Sequence, residues 1–333
     1  MVERSSFTSA LLRWFAQYGR ELPWRGLGDA YSIWVSEVIL QQTRIEQGRD
    51  YWLRFMERFP DVESLAAASE DEVLRLWQGL GYYSRARNMH AAARQVVEQG
   101  GFPRTIQGLR ALKGVGDYTA AAVGSMAFGL PAAVVDGNVC RVLSRHYGIG
   151  DPMDTAKGKR TIHALAQELL PEDQPSAFNQ AMMDFGATWC TPRSPRCQEC
   201  PVGETCEALR TGRVGELPVK GKKPTVRQRH LTYIYIRHEG MTALHRRPAG
   251  DIWQGLWEPL LVEDGPLPDL GCPLTLVASD VKHVLTHRVL VADFYVATPP
   301  VRPELPPEYI WIREQDIGDY ALPRLVEKLL GFI

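Results

Sequence analysis

Residues 112–123 read LKGVGDYTAAAV and residues 134–143 read VVDGNVCRVL, and the fold is decided by these two stretches. Gly114-Val115-Gly116 separates two helical stretches with a hairpin, which exposes backbone N–H groups at the start of the following helix. Those donors and the helix dipole favour a phosphate. Contacts of this kind hold a nucleic-acid backbone without reading its sequence. A lone G-x-G is often only a tight turn; this one gains weight from Asp136, which follows just ahead of another helix start.

Working outward, the first two-thirds of the chain reads as helical. SFTSALLRWFAQYGR (6–20) places Phe7, Leu11, Trp14, Phe15 and Tyr18 at helical spacing, with Gly19 as a stop. SEDEVLRLWQGLG (69–81) opens with a capping box, Ser69 with Glu72. Asn138 is expected to cap VCRVLSRHYG (139–148), which Gly148 ends. Helices joined by short Gly-containing turns predict an all-α domain over residues 1–212. Residues 213–228 are basic, contain Gly and Pro and lack periodicity, so they read as a linker. From 229 to 333 the pattern changes. HLTYIYIRHEGMTALHRR (230–247) alternates at period two around a turn at Glu239-Gly240, and VKHVLTHRVLVADFYVA (281–297) and EYIWIRE (308–314) look like strands. LPRLVEKLLGFI (322–333) closes the chain as a helix, so the second domain is a smaller α+β unit.

The formal net charge is −1, so a nucleic-acid surface must be local. Basic residues cluster in SRARNMHAAAR (84–94), TPRSPRC (191–197) and VKGKKPTVRQR (219–229), while VEDGPLPDLG (262–271) is acidic and offsets them. No apolar run approaches the roughly 18 residues of a membrane span. MVERSSFTSALLRWF has no signal-peptide layout, so a cytoplasmic location without a membrane is expected.

Of the 6 cysteines, Cys190, Cys197, Cys200 and Cys206 form C-x6-C-x2-C-x5-C. Thiolates in this number suit an iron–sulfur cluster or tetrahedral zinc, and spacing alone does not separate the two. Arg193 and Arg196 lie between the first two, where a pinned basic loop would offer a phosphate contact and an ordinary loop would be solvated. Cys140 and Cys272 stand apart and read as small core hydrophobes. Glu37 is flanked by Trp34, Val35, Val38 and Ile39. A buried glutamate has its pKa raised toward neutrality and becomes a proton donor, whereas one on a solvated face would not.

In their order and spacing, LPWRG (22–26), WVSEVILQQTR (34–44), WQGLGYYSRARN (77–88), LKGVGDYTAAAV, VDGNVCRVL, NQAMMDFGATWC (179–190) and the cysteine loop resemble the helix–hairpin–helix DNA glycosylases of the endonuclease III superfamily. The resemblance is closer still to the A/G-specific adenine DNA glycosylases of the MutY family. It implies an all-α helix–hairpin–helix glycosylase domain with an iron–sulfur cluster loop and a smaller Nudix-like α+β domain. The implied reaction is hydrolysis of the N-glycosidic bond of adenine mispaired with 8-oxoguanine or guanine, on double-stranded DNA, by a monomer.

The implied roles follow residue by residue. Glu37 protonates the adenine ring so that it can leave. Asp136, expected to be ionised with its pKa lowered by a helix N-terminus, stabilises the oxocarbenium-like sugar. Tyr118 and Asn138 lie near Asp136. Trp24, Arg25 and Gln180 surround the flipped base. Gln42 and Tyr82 intercalate beside the oxidised guanine, with Thr43 and Leu80 nearby. Gly114, Val115 and Gly116 hold the backbone. The cofactor implied is one 4Fe–4S cluster on the four cysteines, with a structural monovalent or calcium cation at the hairpin as an addition. Lyase-competent relatives carry a lysine where this chain has Tyr118, so excision is expected to be monofunctional, stopping at the abasic site.

GDIWQGLWEPLLVE (250–263) carries the Nudix-like match, but no R-E-x-x-E-E run follows Glu258, which argues for lesion recognition rather than pyrophosphate hydrolysis. Where the family often has Phe-Ser-His, this chain has Leu285-Thr286-His287, with Thr286 positioned to bond the N–H that only oxidised guanine carries. An endonuclease III-like lyase is disfavoured by Tyr118 and by the second domain. A non-catalytic lesion binder is disfavoured by the presence of both acids.

Overall fold

The computed structural model describes residues 2–221, 227–285 and 288–333, without the side chains of residues 2–5 and 227. Thr286 and His287 therefore lie outside the described residues. The chain divides into two compact units, Met1–Ala66 with Ala91–Lys222, and Ala67–His90 with Lys223–Ile333.

The first unit is helical. The helix Val2–Tyr18 ends where Gly19 was expected to stop it, and Gly19 N–H closes on the Phe15 carbonyl. Its Phe7, Leu11 and Trp14 are buried against Val142, Leu143, Phe178 and Phe185, from the helices Gly137–His146 and Pro175–Thr188. The helix Ala30–Leu40 is buried along Ala30–Ile39 and capped by Asp29, whose carboxylate accepts from the Tyr31 and Ser32 N–H groups. A helix with no solvated stripe has no cheap place for a carboxylate, so the position of Glu37 is set by its neighbours.

The hairpin lies between the helices Ile106–Ala111 and Asp117–Phe128. Gly114 takes φ 74°, a conformation that costs a side-chain-bearing residue. The cap of the helix Gly137–His146 differs from expectation. Asp136 is the N-cap, its carboxylate accepting from Val139 N–H at 2.7 Å, and Asn138 lies inside the helix. The side chain that reaches back to the third N–H wins the cap, and from Asp136 that reach is natural. Gly148, at φ 65°, does end the helix. Residues 213–221, read from composition as linker, are held against this unit: Leu217 is buried, its carbonyl accepts from Arg145 Nε, Val219 O accepts from Met153 N–H, and Gly221 N–H donates to Asp154.

In the second unit the strands are β1 (Arg227–Ile236), β2 (Met241–Arg246), β3 (Trp257–Glu258), β4 (Leu260–Val262), β5 (Leu274–Val284), β6 (Arg288–Ala297) and β7 (Tyr309–Arg313). One sheet has the order β4-β1-β6-β5 and the other β3-β2-β7. β1 runs parallel to β6, with Tyr233 opposite Phe294. The turn at Glu239-Gly240 has both residues at positive φ, but the strands it joins enter different sheets and share only a bridge, His238 to Met241. The helix Arg324–Leu330 buries Leu325, Val326 and Leu329 against Tyr233 and Phe294.

The segment 67–90 is tied into this unit. Ser69 caps the helix Glu70–Leu76 by accepting from Glu72 N–H, as the capping box predicts. Arg246 pairs with Glu70 and Asp71, Arg75 pairs with Asp319, and Arg87 donates to the Gln254 carbonyl. Among the described residues no helix is long and apolar enough to cross a membrane.

Candidate active site

A cavity of about 770 Å³ in the helical unit collects residues far apart in sequence. Its walls hold Trp24, Arg25, Glu37, Gln42, Thr43, Gly114, Gly116, Tyr118, Asp136 and Asn138. A second cavity of about 250 Å³ shares Trp24, Arg25, Glu37 and Met183 with the first and adds Ser176 and Gln180. Glu37 thus faces both spaces, the wide cleft with Asp136 and the narrow pocket with Gln180. Val115, between the two hairpin glycines, is buried and does not line the cavity.

Glu37 is 7% exposed. Burial pushes its carboxyl up from 4.5 to about 7; the Tyr118 hydrogen bond and Arg25 oppose the rise, and the charge of Asp136 adds to it. The expectation of a neutral-range acid is met. The expectation for Asp136 is not: burial raises its pKa above the ordinary value, outweighing the hydrogen bonds from Val139 and Asn138 and the pull of Arg141. Those opposing contacts still separate the two acids. Asp136 accepts from Val139 N–H and from Asn138 Nδ2, each at 2.7 Å, whereas Glu37 has the Tyr118 hydroxyl at 2.7 Å. Asp136 thus has the more polar surroundings of the two, while burial first, and the Asp136 charge after it, favour a proton on Glu37.

Supporting residues were not evident beforehand. Asp184 is fully buried and receives Arg25 through both terminal nitrogens at 2.7 and 2.8 Å, and Arg20 through Nε at 2.9 Å. The same signal that singled out Glu37, an acid within an apolar helical run, was present in AMMDFGATW (181–189). Arg141 is buried; its Nε donates to the Cys190 carbonyl and its Nη2 to Asn138 Oδ1 at 2.8 Å, so a chain of hydrogen bonds runs from the cysteine loop to Asp136. Gly186 permits it, because a Cβ there would come within 2.6 Å of Asn138 Cβ. Gln180 donates to Ser176 Oγ at 3.0 Å. In the second unit Leu80 is buried and Tyr82 is exposed.

The four cysteines surround one small cavity and form no disulfide, with Trp189, Leu209 and Val214 as apolar walls. Arg145 Nη1 lies 3.5 Å from Cys190 Sγ and also donates to the Thr191 carbonyl. Burial pushes Cys200 up to about 11 and raises Cys197 and Cys206. These donors fit a cationic iron–sulfur group, which would supply the positive charge that keeps them thiolates. Among the described residues no three His, Cys, Asp or Glu side chains gather tightly enough to hold a single metal ion, at the hairpin or elsewhere. In the loop between Cys190 and Cys197, Arg196 stacks on Trp189 and pairs with Glu199, while Arg193 is exposed.

Three family models match the chain: the HhH-GPD superfamily base excision DNA repair protein over residues 35–172, the iron–sulfur binding domain of endonuclease III over 190–206, and the NUDIX domain over 232–331. An adenine DNA glycosylase of Mus musculus is 45% identical over 236 residues, 67% of this chain and 46% of its own length. One from Buchnera aphidicola subsp. Acyrthosiphon pisum is 34% identical over 254 residues, 75% of this chain and 73% of its own. A solved structure of a thermostable thymine-DNA glycosylase superimposes with a TM-score of 0.58 at 31% identity, over 63% of this chain and 97% of that one. The chain spans under half the length of the mouse relative. The fold, the order of the domains and the identity to the Buchnera protein across three quarters of the sequence agree, and the chain belongs to the adenine DNA glycosylase family.

Proposed function

We propose that the chain is a monofunctional adenine DNA glycosylase that hydrolyses the N-glycosidic bond of adenine mispaired with 8-oxoguanine or guanine. The observation that carries this reading is Glu37, a buried carboxyl with a pKa of about 7, hydrogen-bonded to Tyr118 in a cavity that also holds Asp136.

The base is flipped out of the stack, since its glycosidic bond is otherwise hidden. Adenine enters the narrow pocket beside Trp24, Arg25 and Gln180, and the sugar stays in the wide cleft. Protonated Glu37 donates to the imidazole-ring nitrogen of adenine. The C–N bond breaks, and its electron pair leaves with the base. Asp136, whose carboxylate accepts from Val139 N–H and Asn138 Nδ2, stabilises the cationic sugar. Glu37, now a carboxylate, accepts a proton from the attacking water. Tyr118 offers no amine, so no Schiff base forms with the abasic sugar.

Gly114 and Gly116, beside the uncapped start of the helix Asp117–Phe128, hold the DNA backbone. Gln42, at φ 57°, and Tyr82 enter the duplex, with Thr43 and Leu80 in support. A 4Fe–4S cluster on Cys190, Cys197, Cys200 and Cys206 would pin the loop that bears Arg193. Thr286 and His287 read the oxidised guanine. The protein acts as a monomer on double-stranded DNA in the cytoplasm.

The test uses duplexes with A opposite 8-oxoguanine, A opposite G, T opposite G and an oxidised pyrimidine, scored before and after alkali. Adenine release, with strand breaks only after alkali, is expected. Preferred release of a pyrimidine would overturn the substrate, and efficient borohydride trapping on DNA would overturn the monofunctional assignment.

A further inference from the structure

We propose that Arg85 is a positioning residue that holds Tyr82 in the exposed pose from which it enters the base stack. The inference rests on the reading of Tyr82 as an intercalating side chain.

The loop after the helix Glu70–Leu76 is unusual in its backbone. Gly79, Gly81 and Tyr82 take φ values of 93°, 71° and 46°. Glycine adopts this region freely; a tyrosine does so at a cost, and the surroundings must impose it. Trp77 is fully buried and its indole N–H donates to the Gly81 carbonyl at 3.0 Å, which anchors one end of the loop. Arg85 adds contacts of its own. Its Nη2 donates to the same Gly81 carbonyl at 3.2 Å and lies 3.4 Å from the Leu80 carbonyl. Its guanidinium lies 5.2 Å from the Trp77 ring centroid and 5.6 Å from that of Tyr82. Its backbone N–H closes on the Tyr82 carbonyl at 2.9 Å.

One planar cation therefore joins a buried ring, two loop carbonyls and a ring that is 47% exposed. Only a guanidinium can stack and donate in this way; an ammonium is a point charge on a flexible stem. A side chain already held in its bound pose loses less freedom on entering the stack. Burial lowers the pKa of Arg85 to about 10, still far above neutrality, so the cation persists at working pH.

The experiment compares the full-length wild type with Arg85→Lys, Tyr82→Ala and the double variant. The readouts are single-turnover excision from an A opposite 8-oxoguanine duplex and fluorescence of 2-aminopurine placed beside the target adenine. Arg85→Gln serves if Arg85→Lys does not fold. Arg85→Lys is expected to slow unstacking and excision by roughly ten- to a hundredfold, the usual scale of a small misplacement. It should have no further effect once Tyr82 is alanine. Additive losses in the double variant would overturn the inference, as would a uniform loss of DNA affinity with a reduced salt slope, which would make Arg85 a phosphate contact. If Tyr82→Ala changes neither readout, the intercalation reading fails and the inference falls with it. If Tyr82→Ala is slow and Arg85→Lys is normal, the inference alone fails.

Discussion

The Tyr118 hydroxyl donates a 2.7 Å hydrogen bond to Glu37 Oε2, linking the hairpin helix to the buried acid. The bond favours the charged carboxylate and so opposes the rise that burial causes. Tyr118 is also raised well above its ordinary value by burial and by the Glu37 charge, so it stays a donor.

Tyr118→Phe should therefore move the titration of Glu37, the proposed acid, upward. With the lowering contact gone, the Glu37 pKa rises above about 7, and the falling limb of a single-turnover pH profile shifts to higher pH. A hydrogen bond to a charged carboxylate, worth about 1.5–3 kcal/mol, sets the shift at roughly one to two pH units. A profile that does not move would show that Glu37 is not the group titrating.

Stability should carry the signature of the same acid. Between 4.5 and about 7 the folded chain holds a proton on Glu37 that the unfolded chain has released. The native state then binds more protons, so stability falls as pH rises through that window. Asp136, also raised, contributes with the same sign. Glu37→Gln should flatten the slope and stabilise the protein at pH 8 by up to roughly 3–4 kcal/mol, the rise from 4.5 to about 7 taken at about 1.4 kcal/mol per pH unit. Urea melts at pH 5 and pH 8 check this; an equal slope in both proteins would refute it.

Arg141→Gln should separate the cysteine loop from the acid pair. The guanidinium joins the Cys190 carbonyl to Asn138, and Asn138 holds Asp136. Loss of this contact is expected to slow excision about tenfold or more, since displaced catalytic groups are costly, with DNA affinity kept within a few-fold. Filter binding and single-turnover kinetics on the same preparation decide it, and an unchanged rate would show that Asn138 is placed by other contacts.

Fragment boundaries should follow the contacts of the chain rather than its composition. A fragment ending at residue 221 keeps Leu217 against the buried Arg145, whereas one ending at 212 leaves that guanidinium short of an acceptor. The shorter fragment should be less stable by about 1–3 kcal/mol, the cost of an unsatisfied buried donor. Comparable denaturant midpoints would show that 213–221 contributes nothing.

Much of this protein is determined by local sequence. Helical spacing in Phe7, Leu11 and Trp14, the Ser69 capping box, the Gly114 turn and the cysteine spacing each depend on neighbours within a few residues, and the structure reproduces the elements they predict. Apolar residues around Glu37 left it open between a buried acid and one on a solvated face, and packing of the helix along Ala30–Ile39 decided for burial.

Tertiary structure decided the rest. Which residue caps Gly137–His146, which way the Asp136 pKa moves, and which cations meet Asp184 are sums of opposing contributions from segments that meet only on folding. A helix N-terminus lowers a carboxyl pKa; burial raises it; only packing sets the balance. Likewise β1 and β2 alternate as one hairpin would, but β1 lies between β4 and β6 and β2 between β3 and β7, and pairing with these later strands outweighed the local turn.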